Sequence, residues 1–133
     1  MLQAVDEDGI TLQHGPVMLL DNNGITDMGS VEGPSLVRSG TNYVLFFSSG
    51  CFLTEAYTVN YATAPSITGP YTRASRPLFM TGDYGLSAPG GMSMHPDSKH
   101  MVFHAYFGSG RALYNAAIDI SGGKVSEILG HSL

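Results

Sequence analysis

The chain has 133 residues, enough for one domain with a modest core. Its 43% hydrophobic and 13% charged content excludes a disordered chain, and a net charge of −5 leaves no basic face for a phosphate backbone. A single cysteine, Cys51, excludes an intrachain disulfide and a zinc site of several thiolates.

The opening Met1-Leu2-Gln3-Ala4-Val5-Asp6-Glu7-Asp8 lacks the basic and apolar regions of a signal peptide, and no apolar run approaches the ~18 residues of a membrane span. The expectation is a soluble protein without nucleic-acid or membrane partners. Strands are predicted at residues 10–13 and 17–20, the first preceded by Asp8-Gly9 and the second closed by Asp21-Asn22-Asn23-Gly24. Residues 35–38 form a third, ended by Ser39-Gly40. The continuous apolar run at 43–48 reads as a strand buried on both faces. Residues 57–62 alternate cleanly, Thr68-Gly69-Pro70 is a turn, and Tyr71 opens another short strand.

The pattern then recurs. Gly33 aligns with Gly90, Phe46 with Phe103, Phe47 with His104 and Tyr57 with Tyr114, all 57 residues apart. Strands are expected at 101–106 and 112–120, and helix content is expected to be very low because no capped helix-period stretch competes. Such a repeat predicts an all-β fold of antiparallel four-stranded β-propeller-type blades. A plain antiparallel sandwich is the competing architecture. One partial propeller domain over 1–133, with one blade-like repeat at 31–80 and a second at 86–129, gives about two to two and a half blades. Propellers typically need at least four to close. The open edges invite pairing with another chain, so a homodimer or higher homo-oligomer is expected.

Glu32, in Val31-Glu32-Gly33-Pro34-Ser35-Leu36, stands at the lip of a predicted buried strand. A carboxyl that loses solvation there has its pKa raised, the state a general acid needs near neutral pH. Acid–base hydrolysis needs a second carboxylate. Asp6 and Asp8 sit in a solvated acidic cluster, and Asp21 and Asp27 lie in the turn-rich connection before Glu32. His104 is expected on the face opposite Phe103, toward a central channel or hydrogen-bonded in the core. Arg111, after Gly108-Ser109-Gly110, either stiffens a hairpin end or reaches a pocket. Phe52, Tyr57 and Phe107 either stack on a sugar ring or pack. His14, His95, His100 and His131 have no metal-ligand spacing, and His95-Pro96-Asp97-Ser98-Lys99 reads as a turn. Cys51 has no evident base, and Ser48-Ser49-Gly50 lacks a nucleophile elbow's glycines.

Val31-Glu32-Gly33-Pro34, the run 43–48, the stretch 57–64, Gly69-Pro70-Tyr71 and Phe103-His104-Ala105 resemble the second half of a glycoside hydrolase family 43 catalytic domain, over residues 8–125. The resemblance implies part of a five-bladed β-propeller acting on arabinose- and xylose-containing plant polysaccharides with inversion, commonly in secreted proteins. It implies that Glu32 is the general acid and that His104 and Arg111 line the carbohydrate pocket; Phe52, from its aromatic face alone, is the further candidate for contact with the sugar. The family's base and its pKa-tuning carboxylate are aspartates of earlier blades, without a counterpart here. Some relatives hold a calcium ion near a histidine where this chain has Gly91, so no cofactor and no metal are expected. The other readings of the same residues are a non-catalytic carbohydrate-binding protein and a half-propeller that functions only as an oligomer.

Overall fold

A computed structural model describes residues 1–128. Two four-stranded antiparallel sheets follow one another along the chain. The first contains β1 (Val31–Ser39), β2 (Asn42–Ser49), β3 (Thr58–Ala64) and β4 (Thr72–Arg73), paired in that order. The second contains β5 (Gly90–Met94), β6 (His100–Phe107), β7 (Gly110–Ser121) and β8 (Lys124–Ile128), again in chain order. One 3-10 turn, Asp83–Gly85, lies in the connection between them, and the described residues contain no α-helix. The all-β expectation holds: each sheet is a simple up-and-down blade, and the pair is open.

Both first strands carry the same irregularity. The β1–β2 ladder shifts between Glu32 and Ser35, and the β5–β6 ladder shifts between Gly90 and Ser93. A bulge leaves residues without a ladder partner, and so admits Pro34, which has no N–H to donate, and Gly33 at φ +59°. The first strand therefore starts at Val31, four residues earlier than the sequence pattern indicates, and Glu32 lies inside it.

The core lies between the sheets. Val44, Phe46 and Val59 of the first meet Met101, Phe103, Ala105 and Ile118 of the second, and Leu78, Phe79 and Leu86 of the connection fill the space between. The Phe79 and Phe103 rings stack with centroids 4.9 Å apart, and Tyr114 also stacks with Phe103, at 5.7 Å. Phe46 is wholly buried, and removal of such a side chain costs about 3–5 kcal/mol. Polar contacts also tie the blades: Met94 N–H donates to Ser35 Oγ at 3.1 Å, and Ser39 Oγ to the Ile120 carbonyl at 3.2 Å.

Two expectations need correction. Residues 10–13 and 17–20 form no strands. The first thirty residues make only two isolated bridges, Leu2–Val17 and Val5–Leu12, with Ile10, Leu12 and Met18 exposed. Their apolar residues find no third sheet to bury them. The repeat also lacks a constant offset. The matched registers place Gly90 where Glu32 stands (58 residues apart), His104 where Ser48 stands (56) and Leu113 where Val59 stands (54). The hairpin after β6 is only two residues, against eight after β2. Tyr114 is therefore not the counterpart of Tyr57, and Phe46 and Phe103 lie on opposite faces of their sheets.

Candidate active site

The candidate site forms where the start of β1 meets β5, β6 and β7 of the second blade. Glu32 lies across from Ser48 of β2, immediately before the Gly33-Pro34 bulge. It is exposed, so the desolvation expected of it is not supplied by this chain. Its Oε1 accepts a 2.7 Å hydrogen bond from the Tyr57 hydroxyl.

Tyr57 is buried between the blades, in the last position before β3. Burial, and next the hydrogen bond to the Glu32 carboxylate, hold its phenol above the usual value of 10.0, with the Arg111 charge working against them. Its ring stacks on His104, with centroids 5.9 Å apart and planes 25° apart. His104 projects from β6 away from Phe103, as strand alternation requires. Its pKa is lowered from 6.5 by burial first and by the Arg111 cation second, against the pull of Glu32.

Arg111 of β7 is the hub. Its Nε donates to His104 Nδ1 at 2.5 Å, Nη1 to the Phe52 carbonyl at 3.0 Å, and Nη2 to the His104 carbonyl at 3.2 Å and to the Ala88 carbonyl. The guanidinium also lies over the Tyr106 ring, 4.7 Å from its centroid. Because His104 Nδ1 accepts from Arg111, the neutral ring carries its proton on Nε2 and presents a donor there. The arrangement thus offers one carboxyl and an imidazole N–H on a rigid cationic support. Such a set suits a neutral, hydroxyl-rich ligand.

Of the residues singled out by sequence, Glu32, His104 and Arg111 come together. Phe52 joins through its backbone carbonyl, while the residue itself is exposed at 49%. Phe107 is exposed at the β6–β7 hairpin. What sequence reasoning missed is Tyr57 as the hydrogen-bond partner of Glu32, and the Gly90-Gly91 doublet. A Cβ on Gly90 would stand 1.9 Å from the Tyr57 ring, and one on Gly91 2.2 Å from His104 Nε2. Adjacent glycines inside a strand signal such close approach.

The other carboxylates divide sharply. Asp27 is buried and fully engaged: Arg73 donates two hydrogen bonds to it (3.0 and 2.8 Å), Ser49 Oγ one (2.8 Å) and Asn23 N–H one (2.6 Å). It is a structural anchor for the segment leading into β1. Asp8 caps an exposed turn by accepting from the Thr11 hydroxyl, the Thr11 N–H and the Ile10 N–H, which in that order lower its pKa. Asp21 is different. It lines, with Glu32, Leu19, Pro34, Leu45 and Phe47, a cavity of about 330 Å³. It is the only carboxylate besides Glu32 among the residues lining that cavity.

His95 and His100 flank Asp97 in the expected turn, His14 is exposed, Cys51 is exposed, and His131 lies outside the described residues. No three His, Cys, Asp or Glu side chains gather as a metal site among the described residues. The residues do not fit the calcium site found in some of the relatives resembled. Gly91 has no side chain, the His104 ring fills the space where one would begin, and the Arg111 cation stands on that ring.

Fold and site together define a class, an open pair of four-stranded antiparallel blades with one hydrogen-bonded carboxyl, phenol, imidazole and guanidinium group between them. No family model matches the sequence. A structure of a thermostable family-43 glycoside hydrolase superposes with a TM-score of 0.80 at 23% identity, over 98% of this chain and 46% of that one. An endo-1,4-beta-xylanase structure from Bacteroides thetaiotaomicron gives 0.64 at 28% identity, over 74% and 38%. A beta-D-galactofuranosidase of Aspergillus niger is 32% identical over 83 residues, 60% of this chain and 24% of the relative. The chain thus resembles family-43 glycoside hydrolases, as a partial β-propeller. It spans about half the length of the first of these structures and a quarter of the curated relative.

Proposed function

We propose that the chain is the acid-bearing part of a glycoside hydrolase that cleaves arabinose- or xylose-containing glycans of plant polysaccharides by inversion. Glu32 is the general acid that protonates the leaving oxygen. His104 Nε2–H and the Arg111-supported wall beside it hold the sugar's hydroxyls. The observation that carries this reading is the convergence of Glu32, Tyr57, His104 and Arg111 from both blades into one hydrogen-bonded group. The similarity to a family-43 glycoside hydrolase, a xylanase and a galactofuranosidase supports the reaction class.

Inversion requires a second carboxylate about 6.5–9.5 Å from the acid, with a water between them. Asp27 is unsuited because its oxygens are occupied by Arg73 and Ser49. Asp21, on the cavity it shares with Glu32, is the in-chain candidate for the base. The test is turnover of aryl α-L-arabinofuranoside, β-D-xyloside and β-D-galactofuranoside by the wild type, Glu32→Gln and Asp21→Asn. Turnover lost in Glu32→Gln supports the acid. Turnover kept in Asp21→Asn moves the base to another polypeptide segment.

A second reading concerns assembly. Ile10, Leu12, Met18, Ile25 and Met28 in the segment before β1, and Val102, Leu113 and Ile128 in the second sheet, expose large apolar side chains. A second copy covering them would extend the ring. Light scattering tests this directly: a dimeric mass supports it, and a monomeric mass at all concentrations refutes it. A chain inert on all three glycosides, yet retarded by xylan or arabinan in affinity electrophoresis, is instead a carbohydrate-binding protein.

A further inference from the structure

We propose that Tyr57 is the positioning residue of the acid: its hydroxyl engages Glu32 Oε1 and leaves Oε2 as the oxygen that carries and delivers the proton. The inference rests on Glu32 being the general acid and names the group that orients it.

The geometry is specific. A carboxylic acid delivers one proton from one oxygen, and an exposed glutamate on three rotatable bonds presents either oxygen in many directions. The Tyr57 hydroxyl donates to Oε1 at 2.7 Å. An oxygen that accepts this bond is the carbonyl-like oxygen of the acid form, so the proton resides on the other. During the reaction the Oε2–H bond breaks, the proton passes to the leaving oxygen, and the resulting carboxylate keeps the Tyr57 bond, now charge-assisted and stronger. Tyr57 therefore supports the product state of proton transfer more than the starting state.

Tyr57 is itself immobilised from several sides. Its ring lies against His104 and 5.6 Å from the Arg111 guanidinium, and Gly90 leaves the room it occupies. The residue is buried at 3% exposure, while the carboxyl it holds is exposed. A phenol used only for packing would not spend its hydroxyl on a solvent-facing acid at the mouth of the site. The ionisable groups facing it are Glu32, His104 and Arg111.

Two readouts separate this role from a structural one. Tyr57→Phe keeps the ring and deletes the hydroxyl, so folding survives. With an aryl glycoside of a poor leaving group, kcat should fall about 10-fold or more with KM within twofold. With a dinitrophenyl glycoside, which needs little protonation, kcat should fall less than threefold. Equal losses on both substrates overturn the proposal. Independently of turnover, the Tyr57 phenol is followed by NMR in protein carrying [13Cζ]tyrosine, its resonance identified by its loss in Tyr57→Phe. Glu32→Gln should move that titration downward, because an anionic acceptor is removed. An unmoved titration overturns the proposal even in a protein without hydrolytic activity. A moved titration without any wild-type turnover leaves the Tyr57–Glu32 coupling standing and refutes the hydrolase reading instead.

Discussion

Asp27→Asn decides whether the best-buried aspartate near Glu32 is structural or catalytic. Asp27 is 2% exposed and accepts two hydrogen bonds from Arg73, which is 23% exposed. The variant keeps one acceptor oxygen but turns an N–H₂ group toward a guanidinium, and at least one charge-assisted bond is lost, about 1.5–3 kcal/mol. Breaking a buried pair by removing one partner costs about 3–5 kcal/mol. Because Arg73 retains access to water, the lower end applies, about 3 kcal/mol. With a urea m-value of about 1.5–2 kcal/mol per molar, the midpoint should fall by about 1.5–2 M with m unchanged. Turnover per folded molecule should stay within threefold. An unchanged midpoint with turnover abolished would refute the structural assignment and make Asp27 the base.

Other expectations follow from the same contacts. Arg111→Lys replaces a fork that reaches three carbonyls and the His104 ring by a point donor that satisfies only part of them. It should lower stability by about 1–2 kcal/mol, read by thermal unfolding, and weaken substrate binding. His104 has its folded pKa below its unfolded value of 6.5, so the unfolded chain takes up the proton first as pH falls. Its contribution to stability is fully present above pH 6.5 and is lost as pH falls toward the folded value. His104→Gln should flatten the urea-midpoint profile in that window, and an identical profile would refute the contribution. Tyr57 has its folded pKa above 10.0, so its contribution is present below pH 10 and is lost above it, an alkaline loss that Tyr57→Phe should remove.

Much of this architecture was legible in the chain. The apolar run of β2 and the alternation of β3 gave strands directly, β6 was legible through its likeness to β2, and the short Gly-rich turns left only antiparallel neighbours. Residues 10–20 misled because a short apolar run between turn signals becomes a strand only where a sheet stands ready to bury it. The constant repeat offset misled because hairpin length varies between the blades while strand register follows the core. In the site, Glu32, His104 and Arg111 could be named from their motifs. The exposure of Glu32 could not, because it depends on which segments of chain lie over the start of β1, and that is set by tertiary packing. Tyr57 was hidden by its resemblance to an ordinary core aromatic, and only the glycine doublet opposite it carried a signal.

The central claim is that Glu32 donates the proton. It is tested most directly by kcat/KM of the wild type and of Glu32→Gln on an aryl arabinofuranoside or xyloside with a poor leaving group, with unfolding curves recorded for both. The expected result is a loss of 100-fold or more, within the range usual for removal of a positioned general acid, with coincident unfolding curves. Turnover in Glu32→Gln equal to that of the wild type would contradict it.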